Sequence, residues 1–318
     1  MINGSRRPAS TSTARPARAA LRARTARTGD DEQVPLPLLG PLLVVTAVEP
    51  EAAAVRAGLP HPAAAGHQAD VAQPAAAGQP ADAGRQHADA GQHADAGQHA
   101  DAGLQADAEY ATAGGHLADG VDTQILVAVV GVGSAEAAAG TARLLALAEA
   151  AGRPYASVIS AGIGGAFDGR AAVGDTVIAT RSIAADLGAD SPDGYLPIEE
   201  LGFGGSVVIT DDGLTTLLQD SLPGALSGDV LTVNTVTGTA DRAAALAGRH
   251  PSALVEAMEG YGVAVAARAA GIAFAELRTI SNPVGPRDRA AWNLPAALTA
   301  LTTTFATLTA EPGDQPQP

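Results

Sequence analysis

Short runs of apolar, often β-branched residues alternate along this chain with longer stretches rich in alanine and leucine. Such short continuous runs are typical of strands buried on both faces, and the longer stretches are typical of helices. The pattern predicts strands at 42–48, 125–130, 157–160, 176–180, 230–236 and 273–280. It predicts helices at 51–58, 135–151, 251–270 and 295–310, with Ser134 as the N-cap of the second helix. Strands that alternate with helices indicate a sheet covered by helices on both faces.

Acidic, amide and glycine residues follow four of the predicted strands, where sheets of this class bind their ligands. They are Glu49 and Glu51, Gly131 and Gly133, the segment 160–165, and Ser281 with Asn282. Glu259 interrupts an apolar stretch, and a buried carboxylate needs a partner. Each residue has an ordinary alternative: Glu51 as a helix-dipole acid, Glu259 as a solvent-facing helix position, Asn282 as a turn residue. Their shared place at one end of a sheet predicts a functional site.

The glycines after the second and third strands do not complete a dinucleotide-binding fingerprint. Gly131 and Gly133 are followed by Glu136 where the fingerprint has its third glycine, and this acid would repel a pyrophosphate. The glycines of segment 160–165 also lack the third member. We interpret them as tight turns between strand and helix, and we expect neither a nicotinamide nor a flavin nor any other cofactor.

The composition excludes several classes of protein. The 318 residues contain no Cys, so neither a disulfide scaffold nor a cysteine zinc site can form. The 19 basic residues, all Arg, face 34 acidic ones, and the net charge of −15 disfavours nucleic-acid binding. The longest uncharged apolar stretch near the start, 34–48, has 15 residues with three Pro, whereas a membrane-spanning helix needs about 20. We therefore expect neither a nucleic acid nor a membrane as partner.

Two segments differ from the rest in composition. Residues 1–34 carry seven Arg among Ser, Thr and Pro, which predicts a disordered tail; a transit peptide or a twin-arginine signal is the alternative. Residues 60–119 repeat QHADAG three times and hold six of the seven His. A six-residue period fits neither a helix nor a strand, so we predict a flexible insert and expect no metal site there. One domain then spans 35–310, and we expect a disordered C-terminus at 311–318.

In their order along the chain, these motifs resemble the methylthioadenosine/adenosylhomocysteine nucleosidases. Segment 47–51 is similar to the Ala-Met-Glu-Glu-Glu segment of that family, and the family's later motifs follow at 131–133, 160–162, 257–259 and 278–282. Longer segments are most similar to the branch of the family that hydrolyses futalosine; they lie at 160–167, 184–204, 235–243, 257–264 and 280–292. The resemblance covers 42–59 and about 121–310, and it leaves out the tail and the insert.

The resemblance implies a three-layer α/β/α sandwich around a twisted mixed sheet. It implies that Glu51 activates the attacking water as general base and that Glu259 binds the ribose hydroxyls, with Met258 against the sugar. It also implies a set of residues around the base: Ser160, Ala161 and Gly162 line that end of the pocket, and Asn282 contacts the purine.

The implied reaction is hydrolysis of the N-glycosidic bond of futalosine, which releases hypoxanthine and dehypoxanthine futalosine in the alternative menaquinone pathway. Residues 49–51 offer neither the Gly nor the Arg that a phosphorylase uses to hold phosphate after the first strand, so water is favoured as nucleophile. The adenine-cleaving branch has an Asp at the position of Asn282. An amide forms hydrogen bonds without transferring a proton, which favours a purine with a carbonyl at position 6.

Trp292 lies where the family has an apolar residue for the 5′ substituent, and an aromatic wall suits the benzoate-type group of futalosine. A Trp buried in the core is the alternative. Arg287 and Arg289 are both candidates for the carboxylate of that group.

Two other functions stay open: another purine nucleosidase or nucleoside phosphorylase on the same fold, and a nucleoside-binding protein without catalysis. We expect a small-molecule nucleoside as partner, a homo-oligomer, and a cytoplasmic location.

Overall fold

The computed structural model describes residues 40–60 and 125–310. The predicted tail at 1–34, the predicted insert beyond Pro60 and the predicted C-terminus at 311–318 lie outside these ranges. Within them, strands and helices follow one another along the chain. They are β1 (Leu42–Thr46), α1 (Glu49–Gly58), β2 (Ile125–Val129), α2 (Ser134–Ala150), β3 (Ser157–Ala166), β4 (Thr176–Ala184), β5 (Gly188–Ser191), β6 (Gly194–Pro197), β7 (Val207–Ile209), α3 (Asp212–Ser221), β8 (Leu226–Thr232), α4 (Ala240–Arg249), β9 (Ala253–Ala257), α5 (Gly260–Ala270), β10 (Ala273–Pro283), a 3₁₀-helix (Arg289–Ala291) and α6 (Leu294–Thr309).

Eight of these strands form one mixed sheet, and β5 pairs with β6 in a separate hairpin. The pairs β2–β1, β1–β3, β3–β10, β4–β8 and β8–β9 are parallel, whereas β10–β4, β3–β9 and β4–β7 are antiparallel. Because β3 pairs with both β9 and β10, the strands β3, β10, β4, β8 and β9 close into a ring. Strand β3 therefore lies at the centre of the sheet, and β1 and β2 extend from it.

Helices cover both faces of the sheet. Leu42 and Val44 of β1 pack into a core with α1, α3 and α6, whereas Leu43 and Val45 pack into a second core with α2 and α5. Successive side chains of a strand point to opposite faces, so a strand buried on both sides must be apolar throughout. The structure confirms the predicted α/β/α architecture with a mixed sheet.

The structure corrects the predicted helix at 251–270. Residues Ala253–Ala257 form strand β9, and the helix begins only at Gly260. Alanine has the highest helix propensity, which explains the prediction, but pairing with β8 and β3 decides the conformation here. The predicted N-cap is also wrong: Gly133 caps α2 with a φ of 90°, and Ser134 is already the first helical residue.

Most strands have other bounds than predicted, and β8 and β3 differ the most. Strand β8 covers Leu226–Thr232 instead of 230–236, because its polar first half pairs with β4. Strand β3 continues to Ala166 through the glycines that the sequence indicated as a turn. These glycines are extended because they pair with β10 and β9, and side chains of these strands fill the space beside them: Val255 lies beside Gly164, and Asn282 beside Gly165. By contrast, Gly131 and Gly133 do form the predicted tight turn, with φ angles of 97° and 90°.

A helix needs about 20 apolar residues to cross a membrane. In residues 40–60 and 125–310, no helix is both long and apolar enough to span a bilayer.

We expect Gly262→Ala to lower the free energy of unfolding by about 1–3 kcal/mol, as overpacking does. A Cβ at this position of α5 would lie 2.1 Å from the backbone oxygen of Ser134 in α2, so the two helices would have to separate. Urea unfolding measures the change. Gly248→Ala is the matched control, because open space surrounds that glycine of α4 and alanine there gains up to about 1 kcal/mol. Equal effects of both substitutions would contradict the close packing of α2 and α5.

Candidate active site

Arg278, on β10, holds three side chains in the interior of the protein. Its exposed fraction is only 1%. Its Nε donates to Oε1 of Glu276 at 2.9 Å, and its Nη1 donates to Oε2 of Glu259 at 3.3 Å. Its Nη2 donates to Oγ of Ser160 at 3.1 Å. All three sides of the guanidinium are therefore occupied by partners from β3, β10 and the segment after β9.

Glu51 reaches the same place from the first turn of α1. Its Oε2 accepts hydrogen bonds from the backbone N–H groups of Ala47 and Val48, at 3.0 and 3.3 Å, and so caps the helix. Its Oε1 accepts from the N–H of Ile163 on β3 at 2.9 Å. The carboxylate thus serves as the helix-terminus acid considered from the sequence, and it is also buried at the end of β1.

Gly162 of β3 lies between Glu51 and Arg278. A Cβ on this glycine would be 2.6 Å from Oε1 of Glu51 and 2.9 Å from Nη1 of Arg278. No real side chain fits at these distances, so the missing Cβ is what allows the carboxylate and the guanidinium to approach. Position 162 therefore needs a glycine because of close packing and not because of a turn.

Glu259 follows β9 and takes the N-cap position of α5, although it does not cap that helix with its side chain. Its Oε1 accepts from the N–H of Gly133, after β2, at 3.2 Å, and its Oε2 accepts from the N–H of Met258 at 3.3 Å. The residue is buried, and its Oε2 lies beside Arg278. We call Glu51, Glu259, Glu276 and Arg278 the acid–arginine cluster.

Burial sets the electrostatics of this cluster. Loss of solvent raises the pKa of the Glu51 carboxyl, against the opposing effects of the Ile163 N–H and the Arg278 charge. Loss of solvent also raises the pKa of Glu276, again opposed by Arg278. Burial disfavours the charge of Arg278 itself, but three carboxyl groups raise its pKa and keep it protonated. One guanidinium is therefore shared by three carboxyl groups.

Asn282 lies at the end of β10, opposite Gly165 of β3. Its Nδ2 donates to the backbone oxygen of Pro283 at 3.0 Å, and its Oδ1 accepts from Oγ of Ser281 at 2.7 Å. Gly165 is three residues beyond Gly162, which corresponds to about 10 Å along a strand. The half-buried amide and the acid–arginine cluster thus lie at two points along β3.

The remaining predicted site residues have different surroundings. The side chain of Ala161 is buried in the apolar core with Leu42 and Val44, so only its backbone is available to a ligand. Met258 is half-buried beside Glu259. Trp292 is half-buried after the 3₁₀-helix, and the guanidinium of Arg287 lies 5.6 Å from the centre of its ring. The structure thus brings Glu51, Glu259, Ser160 and Gly162 together and leaves Trp292 in a separate loop.

Two central residues were missed from the sequence. Arg278 lay in a motif but received no role, and Glu276 was not considered, because both lie within a strand and not at its end. The sequence does contain a signal for them. Two charged residues at positions i and i+2 interrupt an otherwise apolar strand, and residues with this spacing lie on the same face of it.

A further buried carboxylate holds the loop between β8 and α4. Glu256 of β9 is opposite Gly165, on the other side of β3 from Asn282. Its two oxygens accept from the backbone N–H and the hydroxyl of Thr237. In the described residues, no group of three or more His, Cys, Asp or Glu is arranged to hold a metal ion.

Comparison with known proteins gives consistent matches. The family model of the phosphorylase superfamily matches residues 89–310, more than half of the chain. Futalosine hydrolase of Streptomyces coelicolor is 55% identical over 172 residues, 54% of this chain and 73% of the relative. Futalosine hydrolase of Acidothermus cellulolyticus is 46% identical over 190 residues, 57% and 74% of the two chains.

Among solved structures, the methylthioadenosine/adenosylhomocysteine nucleosidase of Colwellia psychrerythraea in complex with adenine has a TM-score of 0.55 and 18% identity. The match covers 85% of this chain and 96% of that one. At this identity the likeness supports the fold alone.

We expect Arg278→Met to lower the free energy of unfolding by about 3–5 kcal/mol at pH 8, because it leaves buried carboxylates without their counter-charge. The carboxyl pKa values then rise further, so stability is lost as the pH rises through them and is recovered as they protonate. Urea unfolding at pH 8 and pH 5 should show a smaller deficit at pH 5.

Arg56→Met is the control, because its salt bridge with Glu49 is exposed and is worth at most about 1 kcal/mol. A deficit of Arg278→Met that is the same at both pH values would contradict the shared-charge account.

Proposed function

The chain belongs to the phosphorylase superfamily, and we propose that it hydrolyses the N-glycosidic bond of futalosine to release hypoxanthine and dehypoxanthine futalosine. It is a hydrolase of N-glycosyl bonds; futalosine as substrate and the role of each residue are the proposed part. The observation that carries the proposal is the pair of buried carboxylates, Glu51 and Glu259, held beside one guanidinium.

Cleavage of an N-glycosidic bond builds positive charge on the ribose, and carboxylates stabilise that charge in a site that excludes water. Glu51 is the general base in this proposal. Burial raises the pKa of its carboxyl, which makes the carboxylate a better acceptor for a proton of the attacking water at neutral pH. Its three backbone hydrogen bonds hold it in one orientation while it does so.

Glu259 binds the ribose hydroxyls in this proposal. A carboxylate has about four lone-pair positions, and Gly133, Met258 and Arg278 occupy three of them. At least one position therefore remains for a hydroxyl of the sugar. Met258, next in sequence and half-buried, would pack against the ribose.

Water is favoured over phosphate by the contacts of Glu51. The N–H groups of Ala47 and Val48, which follow β1, already donate to its carboxylate. Pro50 has no N–H, so the first turn of α1 offers few donors to an anion. A phosphate at this end of β1 would meet a carboxylate, which supports hydrolysis over phosphorolysis.

The purine would extend along β3 towards Asn282, past the backbone of Ala161 and Gly162. An amide hydrogen-bonds the carbonyl of hypoxanthine without transferring a proton. Trp292 would provide an aromatic wall for the 5′ substituent. Arg287, stacked over that ring, is better placed than Arg289 to meet a carboxylate there.

The menaquinone pathway, a homo-oligomeric state and a cytoplasmic location are also part of the proposal. They rest on the resemblance to futalosine hydrolases and not on the geometry of the site.

The function is tested by incubating the protein with futalosine, inosine and methylthioadenosine, each with and without phosphate, and separating the products by liquid chromatography. Hypoxanthine from futalosine, independent of phosphate, is the expected product. A phosphate requirement would make the protein a phosphorylase, adenine from methylthioadenosine would contradict the role of Asn282, and absence of cleavage would favour a nucleoside-binding protein.

We expect Glu51→Gln to reduce kcat for futalosine by about 10²–10⁴-fold, which is the usual contribution of a general base. Glu49→Gln is the matched control, because this exposed acid of the same helical turn pairs with Arg56 and does not reach the cluster. Circular dichroism checks that both variants fold. Equal kcat values for the two variants would remove Glu51 from the mechanism.

We expect Arg287→Gln to raise KM for futalosine about tenfold or more, the scale of one lost charged hydrogen bond, and to leave inosine turnover unchanged. Inosine has no carboxylate for the guanidinium to bind. Arg289→Gln, in the same loop, should leave both substrates unaffected. If both substrates are weakened equally by Arg287→Gln, then this side chain acts on the loop and not on the 5′ group.

A further inference from the structure

We propose that Glu276 is a positioning residue that fixes the orientation of Arg278 and compensates part of its positive charge, so that it sets the net positive charge that faces Glu51. This inference rests on the proposed hydrolase function and adds to it a residue that has no contact with the attacking water. It concerns the face of Arg278 that points away from Glu51 and Ser160.

Glu276 is enclosed more completely than the other members of the cluster. Its exposed fraction is 0%, and its carboxyl group packs against Gly260 so closely that a Cβ there would lie 2.1 Å from Oε1 and 2.2 Å from Oε2. The hydroxyl of Ser182, on β4, interacts with the same carboxyl group. Neither Oε2 of Glu276 nor Oγ of Ser182 completes a well-formed hydrogen bond among the residues that the structure describes. The protein thus encloses an acid whose main strong partner is Arg278.

Glu276 contacts Nε of Arg278, and this contact determines the orientation of the guanidinium plane. The guanidinium is a planar group with its donors in a rigid fork. When Glu276 accepts from Nε at 2.9 Å, it fixes the plane of the fork, and Nη1 and Nη2 then point at Glu259 and Ser160. Without an acceptor at Nε, the guanidinium can rotate about the Cδ–Nε bond and lose its hydrogen bonds to Glu259 and Ser160.

The contact also has an electrostatic consequence. The charged groups that face Glu51 are Arg278 and Glu259, and those that face Glu276 are again Arg278 and Glu259. Glu276 and Glu51 therefore compete for one positive charge. If the charge of Glu276 is removed while its oxygen still accepts from Nε, the charge of Arg278 is less compensated, and the net potential at Glu51 becomes more positive. The carboxylate form of Glu51 then persists to lower pH.

The test is the pH profile of kcat/KM for futalosine with Glu276→Gln, which keeps an acceptor oxygen and removes the charge. We expect the acid limb, where the general base becomes protonated, to move down by about 0.5–1 pH unit, while kcat on the plateau changes less than about tenfold. Asp229→Asn is the control, because this buried acid pairs with Arg181 and not with the cluster. The acid limb of the pH profile of this variant should coincide with that of the wild type.

The orientation part is tested with Glu276→Ala, which removes the acceptor at Nε. We expect kcat to fall about 10²-fold and KM to rise, because Arg278 loses its orientation and its contact with Glu259, and we expect Glu276→Asp to recover part of both losses. If the Gln variant does not fold, the Asp variant decides alone: a reduced kcat with an unmoved limb supports the inference, and an unchanged kcat overturns it.

These experiments distinguish a failure of this inference from a failure of the proposed function. No turnover of futalosine by the wild-type protein would refute the function. Turnover by the wild type together with an unmoved acid limb in folded Glu276→Gln would refute the role of Glu276 alone.

Discussion

The site depends on Arg278, whose buried guanidinium supplies the positive charge that Glu51, Glu259 and Glu276 share. Buried carboxylates are stable only when they are paired with a positive charge. These three acids can lie close together because Arg278 lies between them. Strand β10 pairs with β3 on one side and β4 on the other, which fixes the backbone that carries Arg278. The chemistry of the site is thus tied to the centre of the sheet and not to a loop.

The fold brings the acids to this charge from three directions. Glu51 comes from the start of α1, Glu259 from the segment between β9 and α5, and Glu276 from β10 itself. Glycines make the approach possible: Gly162 leaves room between Glu51 and Arg278, and Gly260 leaves room for Glu276. The same burial that makes the charges costly also raises the pKa of Glu51, and this connects packing to the proposed base catalysis.

Part of this arrangement could be predicted from the sequence. Glu51 and Ser160 were found because they lie at the ends of apolar runs, where sheets of this class bind ligands, and Glu259 because it interrupts an apolar stretch. Arg278 and Glu276 were missed because they lie within a strand, and that rule applies only to strand ends. The strand β9 was read as helix, since alanine favours helices and the pairing with β3 is a contact distant in sequence. Closure of five strands into a ring is also non-local, so no local pattern could predict it.

We propose that the acid–arginine cluster binds the part of a nucleoside where the N-glycosidic bond is cleaved. A crystal structure would test this with a futalosine analogue whose purine is joined to the ribose by a carbon–carbon bond, which water cannot cleave. We expect ribose hydroxyls within hydrogen-bond distance of Glu259, the anomeric carbon facing Glu51, and the purine beside Asn282. An analogue bound away from Glu51 and Glu259, for example in the groove between the β5–β6 hairpin and α4, would contradict it.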